Sequence, residues 1–395
     1  MIAAHSIMRK KLLFIGSIYS KNFIKFLRSQ SLPDSSAGQT FEHGLLLGLS
    51  ENIDIKCLSE FFAPSFPKLK IIHIKGEQFN TSGIPCESIS YFNLPIVKKI
   101  SQFFSYLINI RKSLGPSDSI LIYELTSRQL LSAVIAGKYH KKIVVVPDLP
   151  EFMSDNHNLL YRIAKKIDKI LINLALKYID GYVLFSSYME ERLPIGDKPW
   201  IVVEGLFSPY DIIEPQQNAE KKVLLYTGKI EKWFGLEDLL CAFTRINGRE
   251  YELWLCGPGD IGMIKSYSNK DHRIIYKGCL SHKEVLVLQK RATILVNPRH
   301  SSDEFTLYSF PSKTMEYMAS GTPTLMCKLK SLPHEYYPYL YFFDDETIEG
   351  MSKRIKECLD IDPVILNRFG HEASSFILSN KTASMQAKKI VDNLL

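Results

Sequence analysis

Short apolar runs alternate with helix-period patterns along this 395-residue chain. The first half gives strand-like runs at Leu12–Gly16, Ile53–Leu58, Lys70–Ile74, Ser119–Tyr123, Lys142–Val146, Gly181–Phe185 and Trp200–Val203. The second half gives Lys222–Thr227, Tyr251–Cys256, Arg273–Lys277, Thr293–Asn297, Thr324–Met326 and Tyr339–Phe343. Helical spacing fills the intervals, for example Phe41–Leu49, Ile96–Lys112, Leu160–Tyr178, Leu236–Ile246 and His282–Arg291. Strand–helix alternation predicts parallel sheets with helices on both faces. Two successive sets, in a chain too long for one ordinary domain, predict an α/β protein of two Rossmann-like doubly wound domains.

The loop-like stretch Glu204–Gln217, with Pro209 and Pro215, marks the boundary. The expected division is residues 1–205, 206–375 and a C-terminal helix at 376–395 that packs back on the N-terminal domain. Apolar residues at 46% and charged residues at 23% exclude disordered, collagen-like and small disulfide-stapled classes. The seven cysteines form no CxxC pair, which suits free thiols in a reducing compartment. The apolar run Leu12–Gly16 is shorter than a signal-peptide core and reads as a buried strand. No uncharged apolar stretch is long enough to span a bilayer. The chain is therefore expected to be cytoplasmic.

Doubly wound sheets bind ligands where strands end and helices begin. After Lys222–Thr227 come Gly228, Lys229, Lys232 and Gly235, a loop suited to a diphosphate. The same residues also read as a turn with solvated lysines. After Tyr251–Cys256 comes Gly257-Pro258-Gly259, a tight turn that serves a ligand or close strand–helix packing. The richest segment begins at Asn297-Pro298-Arg299 and runs through Glu304 and Tyr308-Ser309-Phe310-Pro311-Ser312-Lys313 to Glu316. Pro311 stands where a helix begins, Ser309, Ser312 and Lys313 surround its amide end, and Gly321 and Pro323 stop it. That pattern suits an anion at the helix start and a sugar diol on Glu316. A well-capped helix with an exposed glutamate is the plainer reading.

Lys229, the Gly257–Gly259 turn and the block Phe310-Pro-Ser-Lys…Glu316-Tyr-Met-Ala-Ser-Gly-Thr-Pro resemble the retaining GT-B glycosyltransferases of family 4, the "group 1" type. The likeness covers most of residues 222–327. It implies two domains facing across a cleft, a nucleotide-diphosphate sugar as co-substrate, and no required metal. It also implies Lys229 on the donor diphosphate and Glu316 on the ribose. Two positions depart. The family has a glutamate eight residues before its ribose-binding one, where this chain has Tyr308, with Glu304 as nearest substitute. Its second diphosphate lysine is Phe234 here, with Lys232 close by. In the first half, Pro33–Thr40 resembles the family's glycine loop, with Gly38 at the glycine position, though a linker reads equally well. Asp148, in Pro147–Glu151 after a strand, stands as an acceptor-hydroxyl carboxylate or a loop cap. Lys229, Glu304 and Asp148 are thus the expected catalytic set. Gly38, Gly228, Lys232, Gly257, Arg299, Tyr308–Lys313 and Glu316 are the expected donor contacts.

Net charge is +7, and its placement is uneven. Residues 1–200 hold 25 Lys and Arg against 17 Asp and Glu, and the remainder holds 24 against 25. Leu160–Tyr178 and Ile96–Lys112 carry much of the excess on apolar-faced helices. The expectation is an apolar face turned inward and a basic rim towards an anionic membrane. The family reading then gives a glycan or lipid-diphosphate-linked glycan as acceptor, as in surface polysaccharide biosynthesis at the inner membrane face. No nucleic-acid motif is present, so no nucleic-acid partner is expected. A non-catalytic GT-B protein that binds a nucleotide or glycan is the alternative, favoured by Tyr308.

Overall fold

The computed structural model describes residues 11–32, 37–95, 97–149, 159–207 and 219–395. The chain divides into two compact units. Unit 1 comprises 1–206 with 383–395, and unit 2 comprises 207–382.

Unit 1 runs β1 Lys11–Gly16, α1 Lys21–Ser29, α2 Ala37–Ser50, β2 Asp54–Ser59, β3 His73–Ile74, β4 Gln78–Thr81, β5 Ile84–Ser88 and β6 Tyr91–Phe92. It continues through α3 Val97–Ser113, β7 Ser119–Tyr123, α4 Ser127–Ala136, β8 Lys142–Val146, α5 Leu159–Leu176, β9 Gly181–Leu184 and β10 Trp200–Val202. Its main sheet has the order β10-β9-β8-β7-β1-β2-β5-β4, with every pairing parallel except β4 with β5. The order reverses at β1, which lies between β2 and β7.

Unit 2 runs β11 Lys222–Thr227, α6 Leu236–Thr244, β12 Tyr251–Cys256, α7 Ile261–Ser268, β13 Ile274–Gly278, α8 His282–Arg291 and β14 Ile294–Asn297. Then follow α9 Ser312–Ser320, β15 Thr324–Cys327, β16 Tyr341–Phe343, α10 Ile348–Leu359 and α11 Pro363–Asn380. Its sheet is wholly parallel in the order β13-β12-β11-β14-β15-β16. This is the Rossmann order, with its switch point between β11 and β14. Leu224, Leu253, Leu255, Ile294, Val296 and Leu325 are fully buried in its core. Strands covered on both faces read as near-continuous apolar runs, and β11 and β12 match the predicted ranges to the residue.

Three features depart from the sequence reading. The expected strand Lys70–Ile74 shortens to β3, and the hairpin β4–β5 and the short β6 follow it at 78–92, where the sequence reading gives no strand. β4 is polar and half-exposed, β5 buries only alternate residues (Ile84, Cys86, Ser88), and the turn at Ser82 and Gly83 is made by positive φ rather than by an apolar pattern. The second crossing between units falls after residue 382, so α11 stays with unit 2 and only α12, Ala383–Leu394, joins unit 1. The apolar face of α5 is not turned inward along its length. Ile172, Ala175, Leu176 and Ile179 are buried, while Ile163, Ile167, Ile170, Leu174 and Tyr178 are exposed. The linker prolines Pro209 and Pro215 lie outside the described residues.

α12 packs on α2. A side chain at Gly48 would meet the Ala383 carbonyl at 2.2 Å, so the absence of one lets the two backbones approach. Gln386 donates to the Gly205 carbonyl at 2.7 Å, and Ala387, Ile390 and Leu394 enter the same core cluster as Leu12, Phe14 and Leu121. Ile390→Ala is expected to lower the stability of unit 1 by about 2–5 kcal/mol. Lys388→Ala, on the exposed side of the same helix, should stay within about 0.5 kcal/mol. Urea unfolding of the two variants measures both.

Candidate functional site

Each unit presents groups at the switch point of its sheet. In unit 2 the parallel ladder continues past the strand ends. Gly228 donates to the Cys256 carbonyl at 2.8 Å, Ile230 to Pro258 at 2.7 Å, and Asp260 back to Ile230 at 2.8 Å. The loop after β11 is thereby zipped to the turn after β12. Side chains at Gly257 and Gly259 would lie 1.9 and 2.1 Å from the carbonyls of Gly228 and Ile230, and both glycines have positive φ. Gly257, expected among the donor contacts, therefore has a backbone-packing task in this turn.

α9 is fixed to the end of β11 by one buried side chain. The Tyr317 hydroxyl accepts from the Thr227 N–H at 2.9 Å and lies 3.0 Å from the Thr227 carbonyl. Burial raises its pKa far above that of an ordinary phenol. One turn earlier on the helix, Lys313 lies over the glycine after β11, its Cε 3.1 Å from where a Gly228 side chain would begin. Beside Tyr317, Glu316 accepts from Gln289 Nε2 at 2.5 Å through one oxygen. Its other oxygen lies 3.9 Å from His282 Nδ1. Gln289 is fully buried and also reaches Thr227 Oγ1 at 3.4 Å. One carboxylate oxygen of Glu316 is thus held from behind, and the other is turned to the half-exposed side.

The loop lysines carry local counter-charges: Lys229 pairs with Glu231, and Lys232 with Glu237 at 3.0 Å. Such exposed pairs contribute little, about 0–1 kcal/mol, so an anion displaces them at small cost. Arg299 stacks over the Phe234 ring at 4.5 Å, and burial lowers its pKa. Glu304 is exposed on a single 3-10 turn, Glu304–Leu307, whereas Tyr308 and Phe310 are buried rings. Pro311 caps α9, Ser312 opens it, and Ser309 donates to the Phe305 carbonyl at 3.1 Å. Gly228, Lys313 and Glu316 are therefore gathered at the β11/β14 switch point, with Lys229 next in the chain.

Asp148 and Gly38 belong to unit 1. Asp148 is exposed after β8, and Gly38 lies in the first turn of α2, where its carbonyl accepts from the Tyr123 hydroxyl at 3.2 Å. Pro33–Ser36, Pro150 and Glu151 lie outside the described residues. The switch point of unit 1 carries a cavity of about 310 Å³, with Ser17, Tyr19, Gln39, Glu42 and Glu124 as its polar lining. Glu42 is buried, accepts from the Ser17 N–H, and has its pKa pushed up by burial. Glu124 follows β7 with φ +77, an unusual conformation for a side-chain-bearing residue. Burial raises its pKa to about 7, against the pull of Arg128.

The sequence reading did not single out Glu42, Glu124, Gln289, His282 or Tyr317. Glu124 and His282 follow strand ends, so the strand-end rule reaches both. Glu42, Gln289 and Tyr317 sit inside helices, where only the folded sheet reveals their neighbours.

Residues 211–375 match the model of the family described as glycosyl transferases group 1. The fold matches that of sucrose-phosphate synthase from Thermosynechococcus elongatus at a TM-score of 0.66 and 12% identity, over 97% of this chain and 98% of that one. HepE from Anabaena, in complex with UDP and glucose, matches at 0.63 and 14% over 98% and 99%. The UDP-forming α,α-trehalose-phosphate synthase from Burkholderia xenovorans, in complex with glucose-6-phosphate, matches at 0.62 and 8% over 98% and 100%. The sequence matches none of the curated proteins. The chain has the GT-B glycosyltransferase fold. Within it, the stretch that matches the group 1 glycosyltransferase model falls in unit 2.

Glu124 predicts a pH dependence. The unfolded chain ionises it at the ordinary carboxylate value and the folded chain near 7. Between those values the folded state holds the extra proton. Stability therefore falls as pH rises through this window, by on the order of 3 kcal/mol. Glu124→Gln should flatten that part of the stability–pH curve, as read by denaturant midpoints at a series of pH values.

Proposed function

We propose that the protein is a retaining glycosyltransferase of family 4. It moves a sugar from a nucleotide-diphosphate sugar to a glycan or lipid-diphosphate-linked glycan, in surface polysaccharide biosynthesis at the inner membrane face. One observation carries this reading: Lys313, Gly228 and a braced Glu316 converge where β11 gives way to its loop. Leaving-group charge grows as the glycosidic bond to the diphosphate breaks. Lys229, Lys313 and the α9 amides provide fixed positive potential for that charge, and no metal is assigned to the step. Glu316 accepts the ribose hydroxyls, with Gln289 holding its far oxygen in place. The complex of HepE with UDP and glucose, and the UDP-forming reaction by which the Burkholderia xenovorans synthase is described, support a uridine diphosphate donor.

The unit 1 cavity takes the acceptor in this reading. Its lining is acidic and hydrogen-bonding, which favours sugar hydroxyls over an anionic group in that position. Any anionic part of the acceptor then lies elsewhere on the basic unit.

The second reading, a non-catalytic nucleotide- or glycan-binding protein, is favoured by Tyr308, a buried ring at the position where the family has a sugar-contacting glutamate. Turnover separates the two. With UDP-sugars, Lys313→Ala and Glu316→Ala are each expected to lower kcat/KM about 100-fold or more, measured as UDP release. A thermal shift on UDP addition without UDP release from any sugar donor favours the binding protein.

A further inference from the structure

α3 is turned inside out. Beside Ile110, its buried side is polar: Gln102 and Tyr106 donate to the buried Glu60 at 2.7 and 3.2 Å, and Arg128 of α4 pairs with the same carboxylate at 2.9 Å. Its outer side is apolar. Val97, Ile100, Phe104 and Ile108 recur at helical spacing and are 43–54% exposed. α5 presents a second stripe, Ile163, Ile167, Ile170 and Leu174, exposed to 47–66%. The stripes share one face of unit 1. α4 packs against both helices, Lys99 of α3 lies 3.6 Å from Asp168 of α5, and Ser127 at the start of α4 donates to the same Asp168 carboxylate.

The charge on this face selects its partner. Apart from Arg128 and Lys98, which turn inward onto Glu60 and the Ala63 carbonyl, α3 and α5 carry seven Lys and Arg on this side, and α3, α4 and α5 together hold a single acid, Asp168. Two copies of such a face repel each other. An anionic lipid surface attracts it and accepts the aliphatic stripes between its headgroups. No helix among the described residues is long and apolar enough to cross a membrane, so contact is from one side. We infer that the α3–α5 face of unit 1 is a docking surface for an anionic bilayer, with Ile100, Phe104, Ile167 and Ile170 inserted and Lys99, Arg162 and Lys166 on lipid phosphates. α5 thus keeps an inward apolar end at Ile172, Ala175 and Leu176 and adds an outward stripe that contacts the lipid itself. This inference concerns unit 1 alone and does not rest on the transfer reaction.

Co-sedimentation of the full chain with vesicles tests it. Binding to phosphatidylcholine vesicles containing phosphatidylglycerol should exceed binding to phosphatidylcholine alone by about tenfold or more, and should weaken with salt. The quadruple variant Ile100→Ser, Phe104→Ser, Ile167→Ser, Ile170→Ser should lose about tenfold while keeping its circular dichroism and its thermal shift with UDP. In a separate variant, Phe104→Trp, indole emission should shift to the blue on the anionic vesicles. Binding indifferent to phosphatidylglycerol, unchanged in the quadruple variant, or absent overturns the proposal. So does a dimer in sedimentation velocity that the quadruple variant dissolves, because a second copy then covers the face. The UDP shift, read in the same samples, reports on unit 2 and separates failure here from failure of the glycosyltransferase reading.

Discussion

The site of unit 2 depends on the contact between the Tyr317 hydroxyl and the backbone of Thr227. A phenol with no access to water must find partners inside the protein, and the last residue of a strand has backbone groups that its neighbours leave free. Joining the two sets both the rotation and the height of α9 against β11. Lys313 and Glu316 then need no further device to reach the strand end, because helical geometry carries them there. Gln289, itself buried, braces Glu316 from α8 and also reaches Thr227 at the end of β11, so α8, α9 and β11 are joined through one amide.

Unit 1 uses its switch point differently. It gathers carboxyl groups in a partly enclosed space, and burial shifts Glu42 and Glu124 towards their neutral forms. A neutral carboxyl both donates and accepts, which suits a ring of hydroxyls better than a fixed charge does. The two sheets thus present opposite chemistry from the same topology: cations and amides in unit 2, acids and a phenol in unit 1.

Much of this was readable before folding, for identifiable reasons. Parallel strands such as Lys142–Val146 and Tyr251–Cys256 are near-continuous apolar runs, broken only by Lys142 and Glu252, and the sequence marks them clearly. Lys313 and Glu316 lie in a segment with a proline start and a glycine stop, which fixes their helix and nearly its first residue. The β4–β5 hairpin was hidden because an edge strand half in water has no apolar signature. The orientation of α5 was hidden for a different reason. Hydrophobic periodicity identifies an apolar face but not which way that face turns, and α3 shows that a buried ion pair can recruit the polar side of a helix inward. The tasks of Gly257 and Gly259 were likewise ambiguous, since close approach to a ligand and close approach to a neighbouring loop call for the same residue.

The return of α12 to unit 1 has a consequence for how the molecule is made. The core around Leu12, Phe14 and Leu121 is completed by Ala387, Ile390 and Leu394, with all of unit 2 between them in the chain. On the ribosome the first unit therefore waits, partly assembled, while the second is synthesised and free to fold. Its last helix is added by closing a very long loop, a slow step compared with local pairing. A chaperone meeting this chain during translation would find the early-made half to be the later one to mature.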